Sequence, residues 1–158
     1  MATRQDFQSG SYNFNTDLVN AGYSAEREFG ALVLQNKKVR NVDYNDNKKY
    51  DVKVYMRAGT KEYYTFEVKN DMKYSQTGNI GIEFECRGNP SGIQTTEADF
   101  WVQKLNGEFW QIHRKKLLEL IAEEKYFKIG VGGDEGSNTK MYLFKPDVIM
   151  PFMKKYGS

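Results

Sequence analysis

YDVKVYMRAGTKEYYTFEVKND, residues 50–71, decides the reading of this chain. Apolar side chains recur at every second position on either side of its centre: Val52, Val54 and Met56, then Tyr64, Phe66 and Val68. Period two is the signature of strands with one face inward. Between the runs lies Arg57-Ala58-Gly59-Thr60-Lys61, short and with glycine at its middle, which suits the reversal of an antiparallel pair. Pairing centred on Gly59 sets Asp51 opposite Glu67, Lys53 opposite Thr65 and Tyr55 opposite Tyr63. Asp51, Glu67 and Lys69 then share a face.

Two carboxylates directly across a ladder stand roughly 5 Å apart at Cβ and repel each other. A divalent cation between them removes the repulsion. Magnesium takes hard oxygen ligands, commonly one or two carboxylates with substrate phosphate oxygens completing the shell. Lys69, two residues beyond Glu67, projects to the same side, where an ammonium can orient a water or stabilise charge on a phosphate. An Asp followed by Glu-x-Lys is thus suited to metal-assisted hydrolysis of a phosphodiester. A solvated hairpin face fits the same residues, because 28% of the chain is charged.

Upstream, Gly22 to about Asn36 reads as a helix, with Ser24 as its cap and Glu26, Arg27 and Glu28 in its first turn, where the acids complement the positive end. Phe29, Leu32 and Val33 form its inward stripe. Glu26, three residues before Phe29 and seven before Val33, lies near that stripe, whereas Glu28 is turned to solvent. Glu26 is therefore a third acidic candidate, with the helix dipole as the other reason for its presence.

Six blocks now carry a resemblance: GYSAE at 22–26, YDVKV at 50–54, FEVKND at 66–71, TGNIGIE at 77–83, PSGIQTTEADFWV at 90–102 and VGGDEGS at 131–137. In this order they resemble the PD-(D/E)XK nuclease superfamily, in particular its small phage-type and bacterial members. The resemblance implies an α/β fold with a restriction-endonuclease-like core, a mixed central β-sheet flanked by α-helices. It also implies Mg2+ or Mn2+ at the acidic site and DNA as substrate. Glu26, Asp51, Glu67 and Lys69 match the motif, with Asp51, Glu67 and the Val68 carbonyl as metal ligands. Tyr50 stands where the family has proline, and Ala25 where it often has glycine. Neither departure removes a side chain that the chemistry needs.

Composition limits the alternatives. A chain of 158 residues with 15% aromatics and three prolines suits one globular domain, taken as residues 21–158, behind a loosely held arm at 1–20. No apolar run reaches a membrane span, and MATRQDFQSG lacks a signal-peptide core, which points to a cytoplasmic protein without a membrane partner. The one cysteine, Cys86, has no partner for an internal disulfide and reads as a packed thiol. A net charge of +2 is small for a nucleic-acid binder, so affinity has to come from a local patch. Between Lys37 and Lys61, eight Lys or Arg face three acids, a patch expected around the site entrance unless it is a solvated loop.

The remaining candidates are contacts to substrate. Lys73 and Tyr74 lie in a polar loop after the hairpin. Arg87 and Ser91 belong to a turn whose backbone amides suit phosphate oxygens. Thr95 and Thr96 precede the strand of Phe100 to Val102, beside the active centre in proteins of the resembled kind. Ile80 to Cys86 alternates as a strand, and Glu83 joins the acids if that strand neighbours the hairpin. Trp101 reads as core, and His113 lacks the second His or Cys of a zinc set. Gly130 to Asp134 reads as a flexible loop without the Lys-Ser/Thr of a P-loop. Arg114 to Tyr126 reads as a helix with Leu117, Leu118, Leu120 and Ile121 inward, and a final helix is expected from Asp147 through Lys154 and Lys155.

The function expected is divalent-metal-dependent DNA endonuclease. A catalytically inactive DNA-binding or assembly module on the same fold, and an RNA-directed nuclease, are the other readings. A homodimer would serve concerted double-strand cuts.

Overall fold

The computed structural model describes the backbone of residues 14–45, 49–59, 61–132, 136 and 138–156, and side chains from Ser24 onward. Helix α1 (Phe14–Leu34) leads into β1 (Val39–Tyr44), β2 (Val52–Met56) and β3 (Tyr63–Asn70). A one-turn α2 (Tyr74–Thr77), β4 (Ile80–Cys86), the two-residue β5 (Asn89–Pro90) and a 3-10 turn (Gly92–Gln94) follow. Then come β6 (Phe100–Leu105), β7 (Glu108–His113), α3 (Arg114–Ala122), β8 (Lys128–Gly132), β9 (Thr139–Phe144), α4 (Pro146–Ile149), a second 3-10 turn (Met150–Phe152) and β10 (Lys154–Lys155).

Two sheets result. The larger has six strands in the order β1-β2-β3-β6-β7-β10, and the smaller has four in the order β5-β4-β9-β8. Only β3 and β6 run parallel, Glu67 beside Trp101 and Lys69 beside Gln103; every other pair is antiparallel. The fold is therefore mixed α/β with a mixed central sheet. Long helix α1 covers one face of that sheet; the opposite face packs on the second sheet and α3, not on helices alone.

The hairpin register agrees with the arithmetic over most of its length: Val52 pairs with Phe66, Lys53 with Thr65, Val54 with Tyr64 and Tyr55 with Tyr63. Gly59, with φ at 139°, sits at the reversal in a conformation that disfavours a Cβ. The alternation predicted for β3 is overridden by packing. Thr65, Phe66, Glu67 and Val68 are all buried, because a strand between two layers has no solvent face. The expected solvated face is absent at Glu67, which is 7% exposed.

Phe29 anchors α1. Its ring lies 5.1 Å from Phe66, 5.6 Å from Phe109 and 5.2 Å from Tyr156, centroid to centroid, in tilted or edge-on geometry. Truncating such a side chain costs on the order of 3–5 kcal/mol, so the helix is held firmly in the register that sets Glu26. On the far side Trp101 and Leu105 of β6 meet Ile80 and Ile82 of β4 and Leu117 of α3 in a second core.

Several boundaries differ from the sequence reading. Helix α1 begins at Phe14, so Phe14–Asn20 is helical and not part of an arm, Ser24 lies inside the helix, and Glu26 is far from the positive end. Residues 1–13 of the expected arm lie outside the described residues. Helix α3 stops at Ala122, and Leu118 is exposed. Gly130 to Gly132 is strand β8, paired with β9, and Lys154-Lys155 is an edge strand against β7. Residues 133–135, the rest of that glycine loop, fall outside the described residues.

Candidate functional site

The site forms where β2 ends. The ladder stops at Val52, and Asp51 leaves it: its N–H goes to the Phe66 carbonyl (2.9 Å), while its Oδ2 accepts the Val68 N–H at 2.8 Å. Asp51 is thus not the simple cross-strand partner of Glu67 that the register predicted. It caps the free edge of β3, one residue further along. A residue's N–H and C=O point to the same strand edge, so the Val68 carbonyl faces the edge at which Asp51 sits. Asp51 Oδ1 accepts no hydrogen bond from the described residues.

Glu67 and Lys69 point to the second sheet. Lys69 Nζ stands 3.3 Å from Glu67 Oε2 and 5.9 Å from the Trp101 ring centroid. Glu67 Oε1 lies 3.0 Å from the Thr96 hydroxyl, which also lies 3.0 Å from the Lys49 carbonyl and accepts the Ala98 N–H. One hydroxyl proton serves two acceptors, so Thr96 ties the end of β2, the acid and the loop before β6 into one unit. Thr96 is therefore a positioning residue for Glu67 and not an open substrate contact. Thr96→Val is expected to lose about 1–3 kcal/mol in urea unfolding, because a buried acceptor loses its donor. Thr96→Ser should retain most of the stability; equal stability of the two variants would remove this role.

Charge is crowded here. Burial, then the Glu67 carboxylate, then that of Glu26 push Asp51 from the usual 3.8 up to about 8, against the pull of Lys69 and the Val68 N–H. Glu26, 8% exposed on α1, therefore acts on the same site, as its helical position predicted. Glu28 is turned outward and binds Lys104 at 2.9 Å. Burial works against the charge on Lys69, but Glu67, Glu83 and Asp51 outweigh it and hold the ammonium above the usual lysine range.

Glu83 arrives by a route other than the one expected. Strand β4 does not pair with the hairpin; it belongs to the second sheet and packs across. Its ladder with β9 slips between Glu83 and Glu85, an irregularity of the kind that re-aims side chains beside functional sites. Gly92 makes the close approach possible: its φ is 53°, and a Cβ there would fall 2.2 Å from the Glu83 carbonyl oxygen.

The other candidates disperse. Lys73 lies at the mouth of a cleft that also reaches Lys69 and Glu83. Tyr74 packs against the second core. Arg87 is exposed at the far end of β4, Ser91 Oγ is buried without a partner among the described residues, and the Thr95 hydroxyl bonds the Gly92 carbonyl of its own turn. Asp71 and Gln103 were missed. Gln103, 1% exposed, takes the Trp101 indole N–H at 2.7 Å and donates to Asp71 Oδ2 and the Gly81 carbonyl, both at 2.9 Å. Asp71 in turn receives the Lys73 and Tyr74 N–H groups, so the pair fixes the loop after β3. A Gln two residues after a Trp on an apolar strand was the available signal.

On the hairpin face that continues from Asp51 and Glu67, Lys53 Nζ lies 4.0 Å from the Tyr63 centroid and 5.3 Å from Tyr55, and the Arg40 guanidinium lies 5.1 Å from Tyr55. Two members of the basic patch, Arg40 and Lys53, thus lie on aromatic surface of the hairpin. The His113 ring lies tilted against Phe100 at 4.5 Å, and the Thr139 hydroxyl contacts the half-buried Cys86 thiol.

The donor set is hard: two carboxylates and a backbone carbonyl, with the charge crowding that a cation would relieve. Among the described residues no three Asp, Glu, His or Cys side chains converge as a metal-holding group. Nor is any helix among them long and apolar enough to cross a membrane. Comparison with protein-family models, with curated proteins and with solved structures finds no match for the chain.

Proposed function

We propose that the protein is a divalent-metal-dependent DNA endonuclease built on a restriction-endonuclease-like core. The observation that carries the reading is the meeting of Asp51, Glu67 and Lys69 at one buried strand end, with Glu26 close enough to raise Asp51. Asp51, Glu67 and the Val68 carbonyl would hold Mg2+ or Mn2+. When bound, that ion supplies Lewis acidity and neutralises charge on the phosphate. Lys69, kept protonated by its acidic neighbours, orients the attacking water and stabilises the charge that develops on the phosphoryl oxygens. Glu67 holds Lys69, Thr96 holds Glu67, and Glu26 completes the acidic shell. Lys53 and Arg40, spread over Tyr55 and Tyr63, offer the strand a positive, aromatic surface next to the reacting centre.

The test is incubation with end-labelled single-stranded, duplex, nicked, flapped and four-way DNAs, and with RNA, in magnesium, manganese or EDTA. Cutting of one or more DNA forms, lost in EDTA, is the expected result. Tight binding without cutting under every condition would reject it and assign the chain to a non-catalytic DNA-binding or assembly module; cutting of RNA alone would reject DNA as the substrate.

A further inference from the structure

A cleft of about 340 Å3 is lined by Lys69, Asn70 and Gln103 of the main sheet and by Glu83, Met141 and Leu143 of the second. Its floor is unusual for a sheet. Gly81, Gly130 and Gly132 all fall on it, although glycine inside a strand costs stability and often marks the close approach of a ligand. A Cβ at Gly81 would lie 2.7 Å from Met141 Sδ, and one at Gly130 would lie 2.8 Å from Leu143 Cδ1. The Met141 and Leu143 side chains thus lie flat across the two glycines and make a smooth apolar surface. Among the described residues a Cβ at Gly132 would meet only Lys73 Nζ, at 3.7 Å.

The rim is polar. The Asn70 amide, both donor and acceptor, makes no hydrogen bond within the described residues, and the Lys73 ammonium has no ion pair among them. Asp71, held by Gln103, and Glu83 also line the cleft, which leaves Lys73 to meet an anion; a flat apolar floor, one amide edge and this lysine match a flat heterocycle attached to a phosphate. The volume lies at the small end of ligand pockets, suitable for one nucleotide and too small for stacked base pairs. Thioether sulfur and aliphatic carbon both make favourable contacts with aromatic faces.

We propose that this cleft is a nucleobase subsite: it receives one unpaired base flanking the scissile phosphate, laid on Met141 and Leu143 and read by Asn70, with Lys73 on the adjoining phosphate. The proposal rests on the nuclease reading and makes its substrate DNA with an unpaired or extrahelical base at the cut.

Two measurements separate the proposals. In the first, the methyl NMR signal of Met141 is followed while deoxyadenosine monophosphate, or deoxyribose 5-phosphate as a baseless control, is added. The nucleotide should shift the Met141 signal and the sugar phosphate should not; Gly132→Leu, which projects into the cleft from an unstrained strand position, should abolish the shift. Equal effects of the two ligands, or no effect of either, overturn the subsite without reference to cutting. In the second, single-stranded DNA carrying an abasic residue next to the cut should be cleaved about tenfold more slowly than intact DNA, the scale of one stacked base. Gly132→Leu should bring that ratio near one. A parent that cuts both DNAs equally at each flanking position also overturns the subsite. Failure to cut any DNA overturns only the nuclease, and the nucleotide titration then decides the cleft.

Discussion

Replacing Lys69 with alanine is expected to lower metal-dependent DNA cleavage about a thousandfold while DNA binding changes little. The size follows from the role, since a preorganised charge aimed at a developing oxyanion contributes about two to three orders of magnitude. The environment makes the role specific. Lys69 Nζ sits 3.3 Å from Glu67 with its side chain one-third exposed, so it is anchored yet able to reach a substrate. Its ammonium is held above the usual lysine range by its acidic neighbours, which favours the charged form near neutral pH. The work left to it is to orient water and bind charge. Loss of the cation leaves Glu67, Glu83 and Asp51 without their shared positive neighbour, so the variant should respond to magnesium in thermal unfolding at least as strongly as the parent. Single-turnover rates beside binding curves read the two effects apart. A variant that cuts within about tenfold of the parent would remove Lys69 from the mechanism, since one oxyanion donor contributes more than that.

The hairpin register was legible because alternation set the faces and Gly59 set the centre of pairing, although packing buries both faces of β3. Glu26 was legible for a similar reason, since the 3.6 period through Phe29 and Val33 places it inward wherever the helix starts. What failed was information that lies in layers. Glu83 reaches Lys69 across two sheets, and no strand pairing announces that. The departure of Asp51 from the ladder depends on the Val68 N–H left open where β2 ends, a fact about the neighbouring strand. Strand β8 was hidden by its own glycines, because Gly130 and Gly132 weaken strand propensity, while the space a Cβ at Gly130 would take is filled by Leu143. Local preference was overridden at just the segment that lines the cleft, where such conflict between levels is expected.

The other large effect is expected at Asp51, and its sign depends on what is measured. Asp51→Asn keeps an oxygen to accept the Val68 N–H but removes a carboxyl group whose ionisation is opposed by burial, Glu67 and Glu26. Cleavage should be lost. Metal-free stability should nevertheless rise above that of the parent, and the gain should grow with pH. In the folded chain Asp51 holds its proton up to about pH 8, whereas in the unfolded chain it releases it near 3.8. The folded state therefore binds the extra proton within that window, and stability falls as pH rises through it. Asparagine has no such titration, so the melting temperatures of variant and parent in EDTA should diverge from pH 5 to pH 9. Magnesium should narrow the difference at high pH. A cation at about one hundred times its Kd adds about 2.7 kcal/mol, and each kcal/mol is about 2–4 °C at this chain length. The parent should accordingly gain about 5–10 °C near pH 9. The gain should be smaller at pH 6, where the ion has to displace the Asp51 proton. Differential scanning calorimetry over this pH range, with and without magnesium, measures all of this in one series. Equal magnesium shifts in parent and variant would show that Asp51 does not hold the ion, and a parent that is as stable in EDTA at pH 9 as at pH 5 would show that its carboxyl is not buried against the other two acids.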